Sequence, residues 1–181
     1  MATLVTLALV KEHLRKTTTD EDSAIGAYLA AAIAYVEKYT GHILAQREVT
    51  DAFPAWGSYL TLRHQPITVG DPTPALTVSY LDSEGNEVEF TGRVVRDQTY
   101  PWTIYPPFGS PFPTLADNGT ITVTYTAGYA TGEVPDDLNA AVLLLCGHWY
   151  SNRAAVAEGQ FQELPLAVVS LCRPFRGAVM A

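Results

Sequence analysis

Helix-forming sequence stands at both ends of this chain, Thr6 to Tyr39 and Pro135 to Arg176, and encloses a middle of strand pattern, glycine and proline. Helical ends that carry apolar stripes must meet to bury them, so this order predicts one helical core interrupted in sequence by a β-rich insertion. The change of period sets the expected boundaries: 1–45 with 130–181 as a discontinuous helical body, and 46–129 as the insertion. The fold class expected is α+β, a helical bundle body with an inserted antiparallel β-rich lobe. A chain of 181 residues with 48% hydrophobic content is long enough for that core.

Leu7, Val10 and Leu14 recur at helical spacing and predict a short first helix from Thr6 to Leu14. Thr18 and Glu21 have the spacing of a capping box, which predicts the start of a second helix there. Ile25, Leu29, Ile33 and Val36 step down one face of it, and Gly41 supplies a left-handed stop. The period then falls to two in Tyr59–Leu62, Leu76–Tyr80 and Ile121–Tyr125, which predicts strands, and Asp82-Ser83-Glu84-Gly85-Asn86 reads as a hairpin turn. Prolines keep Tyr100-Pro101-Trp102 irregular and make Tyr105 to Pro113 a long aromatic loop. Pro135 followed by Asp136 and Asp137 suits a helix start, and Leu138, Val142, Leu145 and Trp149 continue its apolar stripe. That stripe is broadened by Leu143, Leu144 and Tyr150, which predicts burial on more than one side. Leu164-Pro165 opens a last short helix through Cys172, and Pro174 stops it.

Nineteen acidic against eleven basic residues give a formal net charge of -8, the wrong sign for a surface that grips phosphate. Cys146 and Cys172 sit in apolar helical pattern and read as small buried hydrophobes in preference to a disulfide or redox pair, which suits a reducing cytoplasm. No charged-then-apolar leader opens the sequence, and no apolar run reaches the roughly twenty residues that cross a bilayer, so no membrane partner is expected.

Several motifs then stand in a telling order: Asp20-Glu21-Asp22, Tyr39-Thr40-Gly41, Tyr125-Thr126-Ala127-Gly128-Tyr129, Val134-Pro135-Asp136-Asp137-Leu138, His148 to Arg153, Leu164-Pro165 and Arg173-Pro174-Phe175-Arg176. In these the chain resembles the head-tail connector, or adaptor, proteins of tailed bacteriophages and prophage-derived gene transfer particles. The resemblance covers both helical ends and the last strand; from Gln46 to Asn118 it is one of general β character. It implies a structural virion protein, folded in the bacterial host cytoplasm and placed at the head-tail interface. It implies as partners other copies of itself in a dodecameric ring, a portal protein, and a stopper or tail-terminator protein. DNA would pass through the channel without sequence-specific binding, and the surplus of acid is compatible with a passage that does not adhere to phosphate.

A closed ring needs heterologous contacts, in which one face of a subunit meets a different face of the next. Candidates for the subunit or portal interface are Trp149, Tyr150, Arg153, Arg173, Phe175 and Arg176; Tyr100, Trp102, Tyr105, Phe108 and Phe112 are candidate contacts on the aromatic loop. The stretch from Arg173 to Ala181 is expected to serve portal attachment and to be dispensable for folding. His148 reads as a hydrogen-bonded structural residue, and His13, His42 and His64 stand isolated in sequence. No phosphate-binding loop, nucleophile elbow, His-Glu-Xaa-Xaa-His or Cys-Xaa-Xaa-Cys occurs, so no catalytic residue, metal or cofactor is expected. The alternative reading is a carbohydrate- or surface-binding module that stacks ligands on Trp56, Tyr59, Tyr100, Trp102 and Tyr105.

Overall fold

The computed structural model describes residues 4–67, 76–91, 94–96, 101–152 and 165–176. Its element order is α1 (Leu7–His13), α2 (Asp22–Thr40), β1 (Arg47–Phe53), β2 (Leu60–Thr61), β3 (Leu76–Leu81), β4 (Glu87–Glu89), β5 (Val94–Arg96), β6 (Thr103–Tyr105), β7 (Ile121–Ala127), α3 (Asp136–Ser151) and α4 (Leu166–Cys172), followed by a 3-10 turn over Arg173–Phe175. The fold is mixed α+β. It divides into two compact units, Met1–Ala45 with Tyr129–Ala181, and Gln46–Gly128.

The first unit is helical because its apolar residues fall on shared helix faces. α3 is its centre: Leu138, Ala141, Val142, Leu145 and Cys146 are fully buried, and the helix packs against α1, α2 and α4. Most of the broad stripe read in the sequence is consumed by this unit's own core, with Leu143, Trp149 and Tyr150 packed against it, while Leu144 stays exposed. α2 contributes Ile25, Ala32 and Val36, α1 contributes Val10, and α4 contributes Val168 and Cys172. Gly41 ends α2 in the left-handed conformation at φ 76°, and its N–H donates to the Glu37 carbonyl at 2.8 Å. A side chain at that φ would meet its own backbone, so glycine suits the position.

The start of α2 departs from the expected capping box. The helix begins at Asp22, Glu21 is its N-cap residue, and no side chain caps it. The Glu21 carboxylate is drawn elsewhere: it accepts the Tyr150 hydroxyl hydrogen at 2.5 Å and lies 3.4 Å from Lys16 Nζ. A charged acceptor gains more from a hydroxyl and an ammonium than from one backbone amide, so the tertiary partners win. α1, by contrast, is capped by Thr6, whose hydroxyl oxygen accepts from the Leu9 N–H at 3.3 Å.

The second unit holds two antiparallel sheets, one in the order β1-β7-β3-β4 and one in the order β2-β6-β5. β7 is central in the larger sheet and has the cleanest alternation: Ile121, Val123, Tyr125 and Ala127 are buried, with partly exposed threonines between the first three and the last. The hairpin from β3 to β4 turns as the sequence predicts. Asp82 N–H donates to the Asn86 carbonyl at 2.9 Å, Asp82 Oδ1 accepts from the Glu84 and Asn86 amides at 2.9 Å each, and Gly85 takes φ 84°. The stretch before the aromatic loop is less irregular than expected. β6 ends it at Tyr105, and the Leu62 N–H donates to the Trp102 carbonyl at 3.0 Å.

Candidate functional site

The candidate residues of the helical unit form two groups: Trp149 and Tyr150 end α3, with Tyr150 beside the start of α2, whereas Phe175 and Arg176, after α4, lie beside the other end of α2. Trp149 and Tyr150 are half-buried and pack against the helical core. Tyr150 bonds Glu21, and Lys16 Nζ stands 5.4 Å above its aromatic ring. These two partners, Tyr150 first, raise the Lys16 pKa above its ordinary value. His148 is hydrogen-bonded as expected: Asn152 Nδ2 donates to its carbonyl at 2.8 Å and lies 3.2 Å from its Nδ1. Arg153 lies outside the described residues.

Arg173 is exposed on the turn that follows α4. Phe175 turns inward, packs against the core and meets the His42 imidazole edge-on, centroids 5.8 Å apart. Arg176 places its guanidinium 5.3 Å from the centre of the Tyr39 ring, a cation-π contact. Phe175 is partly buried against the core, so the stretch expected to be dispensable for folding carries a packing contact of the helical unit. His42, isolated in sequence, is a junction here: its Nδ1 lies 2.7 Å from the Tyr129 hydroxyl, and its ring stacks on that of Tyr129 at 5.8 Å.

In the β-rich unit the aromatic side chains largely occupy one another. Trp56 lies flat on Phe112, centroids 4.5 Å apart at 8°, and meets Tyr80 and Phe90 at 5.7 and 5.6 Å. Tyr59 packs against Tyr105 at 5.5 Å, and Trp102 is only 8% exposed. A stacking platform for sugars needs an aromatic face open to solvent, and Trp102 offers none. Tyr100 lies outside the described residues. Phe108 differs from all of these: it is fully exposed, at 104%.

One polar cluster was illegible in the sequence. Asp51 in β1 is 2% exposed, and its Oδ2 accepts from the Tyr125 hydroxyl at 2.7 Å and from the Arg63 amide at 2.9 Å. His64 Nδ1 lies 3.2 Å from Asp51 Oδ1, and the His64 amide donates to the Tyr125 hydroxyl oxygen at 3.0 Å. Burial first, then the bond to Asp51, hold the Tyr125 phenol well above its usual pKa. The Tyr125 hydroxyl stands 3.5 Å from His64 Nδ1 but gives its hydrogen to Asp51, whose Oδ2 also holds the Arg63 backbone amide while Oδ1 faces the His64 ring, so the three side chains engage one another. Its chemistry is that of a latch. Among the described residues no group of three His, Cys, Asp or Glu side chains is arranged to hold a metal, and no helix is long and apolar enough to cross a membrane.

Most of these side chains pack within their own unit. The family model of head completion proteins matches residues 3–162. The chain belongs to the head completion protein family. The match runs through the β-rich middle as well as the helical ends, and stops before α4. Solved structures agree along nearly the whole chain. A chain of the neck of an empty gene transfer agent (GTA) particle, computed with C6 symmetry, is 28% identical with a TM-score of 0.75, over 97% of this chain and 92% of that one. A chain from the virion of a native GTA particle is 26% identical with a TM-score of 0.74, covering 97% and 92%. One from the neck of the native particle, computed with C12 symmetry, is 26% identical with a TM-score of 0.71, covering 97% and 93%. No curated protein matches. As a head completion protein, the chain is a structural head-tail connector of a phage-like virion, a class of proteins that are not enzymes.

Proposed function

We propose that this head completion protein forms a homo-oligomeric ring in the neck of a phage-like particle, between the portal and the tail or stopper, around the channel by which DNA leaves. One observation carries the reading: the chain matches a neck protein of a GTA particle over 97% of its length with a TM-score of 0.75. The C6 and C12 symmetries of the related necks favour a ring of copies. The C12 case supports a twelvefold ring, and the acidic balance of -8 suits a wall that lets DNA slide past.

Within this reading the turn after α4 docks on the portal. Arg173 and Arg176 are both exposed there, and Arg176 and Phe175 fix the turn to Tyr39 and His42. Trp149 and Tyr150, half-buried at the end of α3, border the same helical unit's outer surface and belong to its contacts with a neighbouring copy.

The test is to delete the gene in a producing strain, complement it, and image purified particles. The expected result is headless tails and tailless heads without the protein, and a ring of copies in the neck with it. Normal tailed particles in the deletion strain would refute the reading. Arg173→Glu, which leaves Phe175 in place, is expected to keep the fold and reduce attachment to heads.

A further inference from the structure

The loop after β6 contains the one described aromatic residue that has no protein around it. Phe108 is 104% exposed, more open than in an extended chain. It is nonetheless held. Pro107, Phe108, Gly109 and Ser110 form a turn in which the Ser110 N–H donates to the Pro107 carbonyl at 3.0 Å, and Gly109 supplies the positive φ of 76° that such a turn needs at its third position. A Cβ built on Gly109 would meet nothing within 4 Å, so the tip stands clear of the rest of its unit. Both feet of the loop are pinned by aromatic packing, Tyr105 against Tyr59 and Phe112 flat on Trp56.

A large apolar side chain displayed on a pinned turn has little freedom left to lose when it docks, which is the condition that makes an anchor effective. The loop's composition points the same way. Residues 101–116 contain no Asp, Glu, Lys or Arg, although charged residues make up 17% of the chain. Interface centres are depleted of charge in this manner, whereas solvent loops are not. The charge balance also selects the partner. Copies that each carry a formal charge of -8 repel one another wherever their acids face, so contact between copies is best made through an uncharged segment. A basic partner would be met better by the acidic surface.

We infer that Phe108 is a subunit anchor, inserted from the tip of this loop into the adjacent copy of the same chain. The inference rests on the proposed oligomeric ring and names one of its two unlike contact faces; a heterologous contact requires a projecting element and a separate receiving surface.

The experiment uses particles from the complemented deletion strain. Phe108→Ser and Phe108→Leu are compared with the wild type, and Phe108→p-benzoylphenylalanine is irradiated in assembled particles. Phe108→Ser is expected to lower the yield of tailed particles on the order of tenfold or more, as truncating an interface anchor does, and Phe108→Leu to restore most of it. The irradiated residue is expected to cross-link one copy of this chain to another. Wild-type yield from Phe108→Ser would overturn the inference while the wild-type ring in the neck leaves the functional reading standing. Cross-linking to a different particle protein, or none at all, would overturn it likewise. Absence of the wild-type protein from the neck would overturn the functional reading first, and this inference with it.

Discussion

The Tyr125 hydroxyl donates to the buried Asp51 carboxylate at 2.7 Å, joining β7 to its partner strand β1 by side chains as well as by the backbone ladder. The same carboxylate oxygen accepts from Arg63, so one residue fixes both a strand pair and the chain that leaves β2. Its removal leaves two donors without this acceptor. Asp51→Ala is expected to lower stability by about 3 kcal/mol, because breaking a buried hydrogen-bonded charge costs more than the bonds are worth in isolation. Tyr125→Phe removes one bond and keeps the aromatic ring, and is expected to cost about 1 kcal/mol. Urea unfolding of the two variants measures the difference, and equal losses would contradict the latch.

The pair His42 and Tyr129 predicts loss of stability at both ends of the pH scale. Burial holds the His42 imidazole below its ordinary pKa of 6.5, so from that pH downward the unfolded chain takes up a proton that the folded one resists. The stabilisation is complete above 6.5 and is lost as pH falls toward the folded value. Burial also pushes the Tyr129 phenol from 10.0 up to about 12, so its contribution is complete below 10 and is lost between about 10 and 12. Melting temperature measured against pH is expected to fall on both sides, with His42→Gln flattening the acid limb and Tyr129→Phe the alkaline one.

The helices and the hairpin were legible because their signals are local. Ile25, Leu29, Ile33 and Val36 lie within one helix, Gly41 marks its end, and Asp82 to Asn86 turn within five residues. What escaped was made by residues far apart in sequence. Asp51 and Tyr125 are 74 positions apart, and nothing near either one announces the other. The spacing of Thr18 and Glu21 does not show that Tyr150, 129 positions away, bonds the Glu21 carboxylate, or that α2 starts only at Asp22. The aromatic residues were recognisable as a group. Which of them face one another and which one faces solvent depended on the turn at Gly109 and on the stacking of Phe112 on Trp56.

Cys146 and Cys172 are both free and buried, as their apolar surroundings predict. Burial pushes the Cys146 thiol up to about 11 and raises that of Cys172, so little thiolate is present at neutral pH. A thiol reagent such as iodoacetamide is expected to label neither residue in the folded protein and both in urea. Rapid labelling under native conditions would show that the core of α3 and α4 opens readily.

Phe108 and Phe112 stand four positions apart on one loop and have opposite surroundings, which makes them a matched test of what each does. Phe112 covers the face of Trp56 at 4.5 Å and also meets Phe90 at 5.8 Å. Truncating it uncovers an indole and undoes a three-ring contact, so Phe112→Ala is expected to destabilise the isolated protein by roughly 2–3 kcal/mol. Phe108 touches nothing that the truncation could uncover, and Phe108→Ala is expected to change stability by less than about 0.5 kcal/mol, as substitutions at open surface sites do. Denaturant unfolding separates the two. If Phe108→Ala proved as costly as Phe112→Ala, the loop tip would be packed within its own subunit and unavailable as an anchor for a neighbour.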